Sequence, residues 1–177
     1  IYWNPDDTEV SFVGGDGSGA LYLYVVNVQT GESRLAHRGT SSLYWTWSSD
    51  GESFVTHTGG GLADGRGTLR IHRRSDGTFQ PVGLVEQERT AGRFQVPDVS
   101  AIGERIAVAL RNERGTNTLA VLSPDGTLLR RVADYQGVAS LSWSPNGRYL
   151  AYVQGAQRFG GGVVGDLNVV DTEVVDG

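Results

Sequence analysis

A short motif that returns four times governs what this chain can fold into. Its clearest copy is Trp143-Ser144-Pro145-Asn146-Gly147, followed by the apolar run Tyr149 to Val153. Trp47-Ser48-Ser49-Asp50-Gly51 and Trp3-Asn4-Pro5-Asp6-Asp7 match it, and Val99-Ser100-Ala101-Ile102-Gly103 is a degenerate copy. The anchors stand at positions 3, 47, 99 and 143, with spacings of 44, 52 and 44 residues. Periods of that length mark repeat architectures, in which each unit buries its apolar surface against the next.

Each copy reads as strand, tight turn, strand, because Asn-Gly and Asp-Gly supply the positive φ that a hairpin turn needs. Past the turn, Tyr149, Ala151 and Val153 share one face and Leu150 and Tyr152 the other, as strand alternation requires. Apolar on both sides, this strand is expected to lie between two layers. A second hairpin follows in each unit, as in Leu119 to Leu122, the turn Ser123-Pro124-Asp125-Gly126, and Thr127 to Leu129. Four strands per unit without helical periodicity predict an all-β chain. The expected fold is a β-propeller of four blades, each of four antiparallel strands, over approximately 1–38, 39–86, 87–133 and 134–177.

The sequence resembles the WD40-like repeat of TolB-type propellers, which also occurs in the propeller halves of prolyl-oligopeptidase-like and tricorn-like proteases. The resemblance rests on the motif copies, Trp143 to Val153 above all, and covers essentially all 177 residues. It implies that the tryptophan packs between blades and that the chain is an extracytoplasmic binding scaffold, periplasmic or extracellular. The alternative it carries is a substrate-gating propeller of a hydrolase whose catalytic domain lies outside these residues. Rings in this repeat family usually have more than four blades. The chain also starts inside one unit and stops inside another. It is therefore expected to be part of a larger ring, or half of one completed by another chain, with self-association through open blade edges.

Composition narrows the chemistry. Cysteine is absent, which excludes disulfides, thiolate zinc sites and thiol nucleophiles. The longest apolar run, Ala20 to Val26, is far short of the ~20 residues that span a bilayer, so no transmembrane segment is expected. The net charge is −5, a sign that argues against a nucleic-acid partner. Glycine is abundant, 26 of 177, about twice average usage. Part of it sits in hairpin turns, and the stretches 59–67 and 155–165 read as long loops.

Those loops precede strands rather than helices, so they are no phosphate cradle. No G-x-S-x-G elbow occurs. His37, His57 and His72 fall in separate contexts and read as surface or strand-face residues. Arg70, His72, Arg73 and Arg74 read as a solvated strand face. Neither Asp6 to Glu9 nor Gly15 to Gly19 matches a calcium loop. The chain is therefore expected to be no enzyme and to use no cofactor and no metal. Binding in propellers concentrates on the rim that holds the loops between second and third strands and the junctions between blades. On that rim stand Asp16, Ser18, Asp64, Arg66, Asn112, Arg114, Arg158 and Phe159, with His37, Arg38 and Tyr135 between blades. They are the candidate residues for a protein partner or a small ligand.

Overall fold

The computed structural model describes residues 1–39, 43–59, 67–75, 77–84, 89–90, 97–111, 117–135, 138–159 and 162–173. Every regular element among them is a β-strand. Blade 1 is the meander β1 (Tyr2–Trp3), β2 (Glu9–Gly15), β3 (Leu21–Asn27) and β4 (Ser33–Gly39). Blade 2 holds β5 (Leu43–Trp47), β6 (Ser53–Gly59), β7 (Gly67–Ser75) and β8 (Thr78–Leu84). A two-residue strand, β9 (Arg89–Thr90), pairs with both β7 and the next blade and ties the two together. Blade 3 holds β10 (Asp98–Val99), β11 (Ile106–Arg111), β12 (Asn117–Leu122) and β13 (Leu128–Tyr135). Blade 4 shows β14 (Val138–Trp143), β15 (Tyr149–Phe159) and β16 (Gly162–Asp171). No helix among the described residues is long and apolar enough to cross a membrane.

The motif turns adopt the left-handed conformation at the same place in all four units, at Asp7, Gly51, Gly103 and Gly147. At Gly51 the requirement is also steric. Its backbone passes so close to blade 1 that a Cβ would overlap Asn4 Oδ1, and Asn4 Nδ2 donates to the Gly51 carbonyl at 3.2 Å. Glycine therefore locks the turn of one blade onto the turn of the one before it.

One expectation needs correction. Residues 155–165 are not a long loop: β15 and β16 run through them, with Gln157 opposite Val164 and Phe159 opposite Gly162. A register shift between Gln154 and Gln157 takes up the irregularity, and Val163 and Val164 keep the strand pattern that the neighbouring glycines obscure.

The blades stack face to face through three apolar seams. Leu23, Val25 and Ala36 of blade 1 meet Trp45, Trp47, Phe54 and Phe79 of blade 2. Val55, Leu69 and Ile71 meet Ile106, Val108, Leu110, Ala120 and Leu122. Ala107, Leu119 and Val121 meet Trp143, Leu150 and Tyr152. Trp47 and Trp143 lie buried between blades, and each donates its indole N–H to the preceding blade: Trp47 to Ser11 Oγ at 2.9 Å, Trp143 to the Asp98 carbonyl at 3.2 Å. Trp3, at the same motif position, is 57% exposed.

The two-layer expectation for Tyr149 to Val153 holds on one side only. Leu150 and Tyr152 are buried against blade 3, whereas Tyr149 is exposed, as are Leu167 at 71% and Val169 at 63%. The outer face of blade 4 is therefore open and apolar. On the free side of blade 1, Trp3 and Leu35 are exposed as well.

A candidate ligand cleft between blades 1 and 2

The seam between blades 1 and 2 changes character along its height. At its centre Phe54 sits opposite His72 in the β6–β7 ladder, and their rings stack at 4.7 Å. One step toward the rim Thr56 pairs with Arg70, and one further Thr58 pairs with Thr68. This face of blade 2 thus passes from aromatic to hydroxylic and cationic. On blade 1, β4 ends at His37, Arg38 and Gly39. A Cβ on Gly39 would overlap Thr58 Cγ2, so glycine lets the strand ends converge there. Above that contact the blades part into a cleft of about 660 Å³, lined by Ser18, Tyr22, His37, Arg38, Thr58 and Arg70 among others.

Local hydrogen bonds hold the blade 1 wall. The β2–β3 loop folds around Asp16, whose carboxylate accepts from the Ser18 backbone N–H at 2.9 Å, from Ser18 Oγ, and from Tyr22 Oη at 2.7 Å. The bonds from Ser18 and Tyr22 draw its carboxyl down to about 2 and raise the Tyr22 phenol in return. The Arg38 guanidinium lies 5.1 Å over the Tyr22 ring, a cation–π contact that leaves its N–H groups free to donate elsewhere.

Beneath the cleft lies a buried histidine pair. His37 and His72 meet edge to face at 4.8 Å. Burial, joined by the Arg70 charge, lowers His37 to about 4; burial, with His37 and Arg70, lowers His72 to about 3. Both rings are neutral at neutral pH. His72 Nε2 lies 3.1 Å from Thr56 Oγ1, while His37 Nε2 is buried with no hydrogen-bond partner. The reading of Arg70 and His72 as a solvated face fails at His72, because blade 1 packs on that side of β7. His37 and His57 are likewise buried strand-face residues, not surface ones.

Of the rim residues expected from sequence, Ser18, His37 and Arg38 converge on this cleft, and Asp16 braces its wall. Tyr135 lies elsewhere: it closes β13 and is buried in the seam between blades 3 and 4. Arg158 and Phe159 end β15, opposite Val163 and Gly162. Asp64, Arg66, Asn112 and Arg114 lie outside the described residues. Sequence reasoning missed Tyr22, Thr58, Thr68 and Arg70 as lining. The available signal was β7 alternation, which puts Thr68, Arg70 and His72 on one side. No group of three or more histidine, cysteine or carboxylate side chains able to hold a metal occurs among the described residues.

No protein-family model matches the chain, and no curated protein matches it in sequence. Solved structures do match. The chain superposes on TolB from Acinetobacter baumannii with a TM-score of 0.66 at 18% identity, over 97% of its own length and 40% of that chain. A protein taken to be TolB in Agrobacterium tumefaciens gives 0.66 at 20% identity, over 97% of this chain and 60% of that one. The β-propeller domain of the Trilobed protease from Pyrococcus furiosus gives 0.57 at 6% identity, over 91% and 49%. The fold is that of a β-propeller. At these identities the likeness speaks for the fold alone, and the chain spans about half the length of the chains it matches. Within that fold, the cleft occupies the rim where two blades and their loops meet.

Proposed function

We propose that this propeller is a non-enzymatic, TolB-like scaffold outside the cytoplasm, which binds a protein or a small ligand on the rim between blades 1 and 2. The observation that carries the reading is the cleft itself. A concave space of about 660 Å³ is of the size that small-molecule sites occupy, and Arg38 and Arg70 line it from opposite blades over the aromatic seam. The absence of a catalytic arrangement in its lining supports a binding role. Among the described residues no lining hydroxyl is hydrogen-bonded to His37, whereas an activated nucleophile needs a base in contact. The Ser18 hydroxyl is engaged by Asp16 instead. We further propose that the open faces of blades 1 and 4 are covered in a larger ring, which would bury Trp3, Leu167 and Val169.

The test is a ligand screen by protein NMR with a mixed library of charged and neutral small molecules. Hits that shift Ser18, Tyr22, His37 and Thr58 together are expected. A screen in which no compound shifts this group sinks the reading.

A further inference from the structure

Resting on that reading of the cleft, we infer that its ligand is a small molecule carrying a terminal oxyanion, a carboxylate or a phosphate group, held between Arg38 and Arg70. Most arginines with a described environment are already occupied. Arg34 and Arg74 clamp Glu9 from two sides, Arg148 binds Asp171, and Arg105 donates to Thr172 and to the Gly147 carbonyl. Arg38 and Arg70 differ: among the described residues neither has a carboxylate partner, and both line the cleft from opposite blades. Arg38 is steered by the Tyr22 ring, Arg70 by its place in β7 opposite Thr56.

No acid contributes to the described lining. Asp16, the carboxylate at its edge, has its oxygens taken up by Ser18 and Tyr22. Thr58 and Thr68 add hydroxyl groups to the lining. The site therefore offers two guanidinium forks, which match the planar geometry of carboxylate and the oxygens of phosphate. Beneath it lies His37, whose buried Nε2 has no partner. The size of the cleft favours a small molecule over an extended acidic peptide.

The experiment is calorimetric titration of the full chain with citrate and, separately, inorganic phosphate at low salt. Saturable binding of at least one is expected, weakening as salt is raised. Arg38→Gln and Arg70→Gln are each expected to weaken it about tenfold, the loss of one charge-assisted contact, and the double variant to abolish it. Arg73→Gln is the control, since alternation puts that exposed residue on the other face of β7; it should bind as wild type. All four substituted chains should melt with the wild-type chain, because the arginines are exposed. The inference is overturned if neither anion binds at tens of millimolar, if the double variant binds as wild type, or if Arg73→Gln weakens binding as much as the others. A neutral compound that occupies the cleft while both anions fail would leave the binding role standing and remove the anion. Failure of every compound removes both.

Discussion

The seam between blades 1 and 2 and the seam between blades 2 and 3 come from the same repeat, yet they differ in kind. The second is aliphatic: Val55, Leu69 and Ile71 against Ile106, Val108 and Leu110. The first is aromatic and partly polar. Ser11 Oγ accepts the indole N–H of Trp45 at 2.8 Å and of Trp47 at 2.9 Å, and donates to the Tyr2 carbonyl at 3.0 Å. Glu9 reaches across to Arg74 at 2.7 Å while Arg34 holds its other oxygen. Burial opposes the Glu9 charge, but the hydrogen bonds and charges of Arg74 and Arg34 outweigh it and keep the carboxyl below its usual range. Aliphatic packing is non-directional and closes wherever shape allows. Directional contacts fix one geometry and let the blades part where those contacts end. The cleft of the first seam opens where its directional contacts end.

The largest expected effect belongs to the aliphatic seam, where volume is everything. Leu110 is fully buried, and Leu110→Ala should cost about 4 kcal/mol in urea-induced unfolding, the transfer and cavity terms together. A loss under about 1 kcal/mol would mean that this seam collapses freely and that the contrast is false.

Acid should single out the other seam. His37 and His72 are held near 4 and 3 when folded and return to about 6.5 when unfolded. The unfolded chain therefore takes up protons first as pH falls. Their contribution is complete above about pH 6.5 and falls as pH is lowered, by on the order of 3 kcal/mol for the pair at about pH 5.5 by linkage. Glu104, raised by burial and by the Asp50 charge, acts in the opposite sense. The useful quantity is accordingly the difference in slope between wild type and the His37→Gln/His72→Gln double variant. Equal slopes between pH 6.5 and 5 would remove the histidines from the explanation.

Next in size is the hydroxyl that organises the aromatic seam. Ser11→Ala leaves two buried indole N–H groups without their acceptor and should cost about 2 kcal/mol, since unsatisfied buried donors lose more than a hydrogen bond contributes. A red shift in tryptophan emission should accompany it if water enters to replace the hydroxyl. An unchanged spectrum with unchanged stability would show that Ser11 is only a spacer.

What the sequence revealed of this contrast follows from physics. The motif turns, the meanders and the buried positions of Trp47 and Trp143 were legible because they are local or repeated. Ser18, His37 and Arg38 were legible as rim residues from strand order alone. Arg70 was not. Alternation separates Arg70 and His72 from the apolar Leu69 and Ile71, so their side reads as solvated, whereas a blade between two others is covered on both. Tyr135 was legible as a residue between blades, but its burial in the seam at the end of β13 was not. The hairpin of β15 and β16 was hidden by glycine, which usually interrupts strands and here sits within them.

The smallest effects test whether the contrast extends to the turns below the seams. Gly51 and Gly103 occupy equivalent motif positions with φ of 72° and 74°. At Gly103 a Cβ would meet nothing within 4 Å, so Gly103→Ala incurs the left-handed backbone cost alone, about 1 kcal/mol. At Gly51 the same methyl group must also displace Asn4, which is buried, donates to the Gly51 carbonyl at 3.2 Å and accepts from the Asp6 N–H at 3.1 Å. Gly51→Ala should therefore cost about 2 kcal/mol, and truncating Asn4 should shrink the difference between the two glycines because it removes what the methyl group meets. Equal losses at both positions would show that the turns answer only to backbone conformation. The first seam would then owe its geometry to Ser11, Glu9 and the aromatic rings above them.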